Sequence, residues 1–466
     1  MSDDEVDFEL LELLRQRLSI TTQVSDEISA DTGVLADAEY IYNNAVDVSI
    51  DMWGTKSAAM RIWKTIQERG YSIAAWSEHE IHPKLGEELN EVEMANFVFT
   101  MDLLNFSFWS ELSEEERFQI DYKGQRWTGY MSLVASLQRA LSEGVPITTP
   151  RFWRSPLCTE DVIKRVFRGA TAEHIPLLDE RIAILYEAGD VLKEFDDVSD
   201  AVPVDGATLQ DASDDVAITD RPTNVSNPDH ERGLNSHAEE SGGLSAVAET
   251  VASAVIDEDT STPTEEGWVN LGAEVPSEPQ TTQEQDLANF ASSKDKSVVN
   301  LISKADKSAG KLVNLLVKHF SSFRDECRYE GRRVRLLKRA QIFVADLHAA
   351  CNGQGIGAFR DIGNLTMFAD YRVPQILHRF GVLSYCPSLE AQIHRKLPLE
   401  HRGSWEVQVR GCAIWATELL RREICRHPGT QSVNAVLIDF LLYDLAKELE
   451  FTKDSIPHHR TRSINY

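Results

Sequence analysis

The chain has 466 residues and a formal net charge of −28, with 75 Asp and Glu against 47 Lys and Arg. That length can bury a sizeable core, as one large domain or two, and the acidity argues against a polyphosphate backbone as the main partner. The six scattered cysteines form no CxxC pair or zinc spacing, no run of eighteen apolar residues occurs, and the Asp- and Glu-rich start is unlike a signal peptide. These features predict reduced thiols, no metal, no membrane, and a cytoplasmic protein, with the nucleus as a second compartment.

Residues 1–34 read as an N-terminal extension carrying an amphipathic stretch, Phe8 to Leu18, with Leu at helical spacing. Residues 35–195 read as the first half of a split domain, mostly helical. Ala95 to Leu112 is rich in aromatics, Met131 to Leu141 is a clean amphipathic helix, and Pro146 and Pro150 punctuate the chain after that helix. Between the first two, Phe118 to Trp127 places Lys123-Gly124 between alternating apolar positions, the pattern of a short hairpin. Residues 196–285 change character, with 21 Asp and Glu against two Arg and Trp268 as the only aromatic. Such a segment buries too little apolar surface to offset its ordering entropy and is expected to be a disordered acidic insertion. Loop closure costs rise slowly with length, so a fold tolerates it.

The second half, residues 286–466, resumes with one predicted helix from Ser297 to Phe320. A second hairpin follows around Glu330-Gly331, and most of the remainder is helical. Each hairpin leads into a helix, but two hairpins are too few to establish a duplication. The fold class is mainly α with minor β hairpins.

The most informative residues are acidic groups in apolar surroundings. Val436 to Ala446 is apolar on nearly every side, as in a helix buried all round, yet holds Asp439 and Asp444. Asp370 lies between Phe368 and Tyr371. An ionised carboxylate in such a place is costly unless paired or hydrogen-bonded, and chains that keep such groups often use them on a substrate. The alternative for Asp439 is a helix cap or a pair with a core Arg. Asp439 and Asp444 are five residues apart, about 140° around an ideal helix, so they border one pocket only by pointing in different directions.

At these blocks the chain resembles the queuosine salvage proteins, which are queuosine 5′-monophosphate N-glycosylases. The similarity includes Asn105 to Ser110, Trp127 to Tyr130, Arg139 to Thr148, Lys338 to Asp346, Val409 to Trp415 and Pro457 to Arg460. It covers most of 35–195 and 290–466 in the expected order, which is far more specific than one short motif. The resemblance implies one catalytic domain in two halves, with a helical architecture related to DNA glycosylases. It also implies hydrolysis of queuosine 5′-monophosphate to queuine and ribose 5-phosphate, without a cofactor or a stable nucleic-acid partner, in salvage of the base for tRNA modification.

Cleaving a base from ribose passes through a cationic, oxocarbenium-like sugar, which calls for a nearby negative charge, a positioned water and a flat apolar slot. Asp370 beside Phe368 suits a guanine-like edge, because a carboxylate accepts two hydrogen bonds from it. Asp439 with Phe440 offers another acceptor and a ring face. The resemblance gives the same division of labour, with Asp444 as the catalytic carboxylate, and matches His79 to a base-contacting histidine. On the residues alone, His79 and His82 are equally a surface pair before the Pro83 turn. Two departures are visible: relatives can carry Asn at His82 and Tyr at Phe440. Arg328, Arg332, Arg333, Arg335, Lys338 and Arg339 form the densest basic cluster, with Lys338 and Arg339 the candidates for a 5′-phosphate and a solvated face the alternative for the rest. Two other functions stay open on the residues alone. One is a helical glycosylase acting on a base within a nucleic acid, against which the lack of a long basic stripe weighs. The other is a non-enzymatic adaptor that works through the acidic insertion.

Overall fold

A computed structural model describes residues 28–196, 290, 295–430, 432–449 and 456–466. The Phe8 to Leu18 stretch and the acidic insertion beyond Asp196, with Trp268, lie outside these residues. The described parts of both halves belong to one compact unit.

The first half contributes α1 (Val34–Asn44), β1 (Val48–Ile50), α2 (Met52–Arg69), α3 (Ala74–Glu78), α4 (Glu91–Leu103), β2 (Gln119–Tyr122), β3 (Gln125–Thr128) and α5 (Tyr130–Ser142). The second contributes β4 (Glu326–Tyr329), β5 (Arg332–Arg335), α6 (Lys338–Ala350), α7 (Arg372–Arg379), β6 (Leu383–Tyr385), α8 (Ser404–Ile424) and α9 (Ala435–Leu449). Further helices, Leu178–Leu192 among them, complete a mainly helical molecule. No described helix is long and apolar enough to cross a membrane.

Local chemistry accounts for these boundaries. Asn90 and Glu93 close a reciprocal capping box at the start of α4, and every residue from Met94 to Leu103 is then buried. Both predicted hairpins form, β2 with β3 and β4 with β5. Their central pairs, Lys123-Gly124 (φ 51° and 75°) and Glu330-Gly331 (φ 46° and 77°), take the doubly left-handed turn that matches strand twist. The Met131 to Leu141 helix is present as α5, and Val436 to Ala446 lies within α9.

One predicted helix is two. Ser297 to Phe320 breaks after Ser303 and resumes as Ala309–His319. Asp306 and Lys307 adopt φ of 47° and 58°, outside right-handed helix. The Ser308 side chain then caps the new N-terminus by accepting from Lys311 N at 3.2 Å. Strand pair β1–β6 joins Val48–Ile50 to Leu383–Tyr385 in antiparallel register.

A buried ion cluster ties the second half together. The Arg410 guanidinium bonds Asp325 (2.5 and 3.1 Å) and Glu406 (3.1 Å), and its Nε donates to the Ala369 carbonyl at 2.8 Å. The ring of Tyr466 lies 4.0 Å from the same guanidinium. Asp325 also accepts from Lys338 N at 3.3 Å. One cation therefore fixes both the start of α6 and the turn that precedes α7. Arg410→Met should cost about 3–5 kcal/mol in urea unfolding, because two buried carboxylates lose their partner. A loss under about 1 kcal/mol would mean that the cluster is dispensable to the fold.

Candidate active site

The framework encloses a cavity at the meeting of α3, α6, α9 and the 366–371 turn. From α9 come Asp439, Phe440, Tyr443 and Asp444, and from α6 Lys338, Ile342 and Asp346. The turn supplies Phe368, Asp370 and Tyr371, and α3 with its following turn supplies Trp76, His79 and His82. Of the predicted site residues, His79, Lys338, Phe368, Asp370, Asp439, Phe440 and Asp444 all line it. Asp439 and Asp444 point in different directions from one helix and reach the same cavity.

Arg339 does not line it, which corrects its assignment as a phosphate anchor. Its guanidinium is fully buried and donates to the Leu103 and Ser322 carbonyls, with the Phe106 and Phe323 rings 5.0 and 5.3 Å away. A guanidinium buried on two carbonyls holds the fold and lies out of a ligand's reach, and its Nε, though without a partner, is buried as well. Three of the four hairpin arginines are paired as well. Arg332 pairs with Asp37, and Arg333 and Arg335 pair with Glu326.

The remaining groups form a dense polar network behind apolar walls. Asp439 accepts the Phe368 backbone N–H at 2.9 Å, which locks the turn against α9. Asp370 caps α7 by accepting from Arg372 N (3.0 Å) and Val373 N (2.9 Å). The rings of Phe368 and Phe440 stand 6.1 Å apart, tilted by 54°. Asp444 accepts from the Tyr71 hydroxyl at 2.6 Å. Lys338 is buried and donates to the Asn105 carbonyl (3.1 Å) and side-chain oxygen (3.3 Å). His82 stacks on Trp76 at 4.0 Å, gives its Nδ1 proton to the Trp76 carbonyl (2.7 Å) and accepts from Tyr130 (3.2 Å).

Burial dominates the electrostatics. It pushes the carboxyls of Asp439 and Asp346 well above the ordinary range, with neighbouring acids adding to the effect. Asp370 and Asp444 are also raised, against partial relief from hydrogen bonds and nearby cations. Burial lowers Lys338, while Asp370, Asp102 and Asp439 favour its charge. His79 is lowered by burial and then by Lys447, and burial pushes His82 down to about 3. Both imidazoles are thus neutral at pH 7.

Sequence reasoning missed Asp346 and Asp102, although each sits in an apolar helical run like that around Asp439. Asp346 lines the cavity, and Asp102 lies just behind it, bonded to Asn105 Nδ2 at 3.1 Å. Tyr71, Trp76 and Tyr130 were missed as well. Their only signal was aromatic content, which a core shares.

Aromatic side chains edged by carboxyls inside a helical body make a cavity with the apolar faces and acceptors that a flat, hydrogen-bonding ring requires. The family model described as queuosine salvage protein matches residues 81–204 and 284–466. A Schizosaccharomyces pombe protein named queuosine 5′-phosphate N-glycosylase/hydrolase is 32% identical, over 93% of this chain and 99% of its own length. Relatives of the same name from Bos taurus and Sphaerobacter thermophilus are each 30% identical, over 92% and 93% of this chain and 97% and 98% of their own. The chain belongs to the queuosine salvage protein family.

The buried acids predict a pH-dependent stability. Complete burial holds Asp102 at about 7 against an ordinary 3.8. The folded state then binds more protons than the unfolded one between those values, so this contribution is full below pH 4 and is lost as pH rises through about 7. Over that window Asp102 should make the unfolding free energy fall by about 1.4 kcal/mol per pH unit. Asp102→Asn should remove that slope in urea titrations at stepped pH. An unchanged slope would place the proton on another group.

Proposed function

We propose that this chain is an N-glycosidase that hydrolyses queuosine 5′-monophosphate to queuine and ribose 5-phosphate, returning the base for tRNA modification. One observation carries the reading: Asp370, Asp439 and Asp444 line a single aromatic cavity in a chain whose full-length relatives bear the glycosylase/hydrolase name. The helical body fits the relation to DNA glycosylases that the resemblance implies.

The base lies against the apolar wall that Phe368 and Phe440 form, since their rings, 6.1 Å apart and tilted by 54°, are too close to take it between them. Burial and the nearby Asp370 disfavour the charge of Asp439, which makes Asp439 the protonated member of the pair. The ionised member accepts the N–H groups of a guanine-like edge, and the neutral member donates to its carbonyl. Phe440 keeps the stacking face but lacks the hydroxyl that a Tyr would offer.

Asp444 faces the sugar. As the bond from C1′ to the base nitrogen breaks, its electron pair leaves with the base and positive charge grows on C1′ and the ring oxygen. A carboxylate in a low-dielectric site stabilises that charge more than it would in water. Water adds to C1′ and gives its proton to Asp444, and that proton passes on to the departing base, which returns Asp444 to its charged form. Burial and Asp444 hold the Tyr71 phenol above its ordinary pKa, so Tyr71 remains a hydrogen-bond donor that orients the carboxylate. The step consumes water and calls for no cofactor.

Asp444→Asn keeps the shape and removes the charge. Single-turnover hydrolysis should fall at least about a hundredfold while queuine still binds within a few fold, as expected for an interaction made chiefly in the transition state. Asp439→Asn should raise KM more than it lowers kcat. Near-normal turnover in Asp444→Asn would overturn the mechanism, and collapse in Asp439→Asn alone would reverse the two roles. Asp370→Ala should weaken queuine binding by about 1.5–3 kcal/mol, because the base loses a charge-assisted pair. Equal affinity in calorimetry would remove Asp370 from the base site.

A further inference from the structure

The end of α2 meets the second half of α9 at the edge of the cavity. Gly70 closes α2 with a left-handed φ of 58°, and its N–H returns to the Gln67 carbonyl. Tyr71 N completes the cap on the Ile66 carbonyl at 2.9 Å. The cap leaves one side chain on each side of Gly70 bonded to α9. Arg69 makes a two-pronged bond to Glu448, at 2.5 and 3.0 Å, and the Tyr71 hydroxyl donates to Asp444 at 2.6 Å. Asp444 and Glu448 are four residues apart, so they sit one above the other on adjacent turns of α9.

The two ties differ in their surroundings. Tyr71 and Asp444 line the cavity, whereas the side chains of Arg69 and Glu448 are 44% and 49% exposed. An exposed ion pair adds about 0–1 kcal/mol to stability, so stability gives little reason for a two-pronged pair at this point. Geometry gives a better one. The first half of α9 is pinned by Asp439 to the Phe368 N–H, and the helix packs along α7 and α8. Both ties to α2 fall in the second half. One bond, at Asp444, would let the helix roll about it, and a second bond one turn further on prevents that.

We infer that Arg69 and Glu448 are positioning residues for the hydrolysis: their pair clasps α9 to α2 and so keeps the Asp444 carboxylate on the Tyr71 hydroxyl. The inference rests on the glycosidase reading above. Neither residue lines the cavity, so both act through Tyr71 and Asp444. The charged and titratable groups near Asp444 are Arg69 and Tyr71 from α2, and Asp439, Tyr443, Lys447 and Glu448 from α9. His79, after α3, faces Lys447. Burial raises the Asp444 carboxyl, the Tyr71 bond, Lys447 and Arg69 oppose that rise, and Glu448 adds to it. Charge and geometry therefore predict opposite results when Glu448 is neutralised. Losing a nearby negative charge would make Asp444 a stronger acid. Losing the clasp would loosen the Tyr71 bond, which favours the carboxylate, and make Asp444 a weaker one. The Tyr71 bond is the larger influence of the two, so geometry prevails.

The test follows kcat and KM for queuosine 5′-monophosphate across pH in wild type, Arg69→Ala, Arg69→Lys and Glu448→Gln. All four are assayed at a temperature where thermal unfolding shows them folded. Arg69→Ala and Glu448→Gln should each lose at least about fivefold in kcat with KM within about twofold, the split expected when ground-state contacts survive. Arg69→Lys should fall between wild type and the Ala variant, since it keeps the charge without the fork. The acid limb of the kcat profile should move to higher pH in Glu448→Gln. A kcat within about twofold of wild type in both Arg69→Ala and Glu448→Gln would overturn the positioning role and leave the glycosidase reading standing. An acid limb that moves to lower pH in Glu448→Gln would overturn it as well, because Glu448 would then act by charge alone. A wild-type protein that leaves the substrate intact would overturn the glycosidase reading itself.

Discussion

The structure turns on a shortage of positive charge around Lys338. Asp102, Asp346, Asp370 and Asp439 converge near this one ammonium group, and desolvation makes full ionisation of all four prohibitive. The cavity therefore stores protons on acids that would be bare in water. A fold selected for stability alone would fill this space with apolar side chains. Retaining the acids makes sense where a ligand with N–H donors replaces the missing cations, and a guanine-like base is such a ligand.

The remaining architecture keeps that shortage in one geometry. The 366–371 turn is held from the cavity side by Asp439 and from behind by Arg410 on the Ala369 carbonyl. Asp325 couples the same arginine to the first residue of α6, where Lys338 begins the helix. A shift of any one element would move Asp370, Asp439 and Lys338 relative to one another. Preorganised charges cost no reorganisation when the substrate arrives, which fits a site built on helices and braced turns.

Much of this was legible in the chain. The acids of α9 stood out because an apolar helical run has no ordinary use for them, and both hairpins were marked by X-Gly turns between alternating residues. The features that escaped were non-local. Strand pair β1–β6 unites segments more than three hundred residues apart, and no local pattern announces it. The break after Ser303 depends on two non-glycine residues with positive φ and on the close approach of Gly310 to Ala30, which allows no Cβ. Arg339 looked like a ligand-binding cation because sequence shows charge and conceals direction.

The central claim is that the aromatic cavity and its carboxyls break the bond between a queuine base and a ribose phosphate. Incubation of the purified full-length protein with queuosine 5′-monophosphate, followed by mass spectrometry of the products over time, tests it most directly. Free queuine and ribose 5-phosphate should be released in equal amounts, with no other component needed than water. Substrate left intact, or a product that keeps the base joined to its sugar, would contradict it.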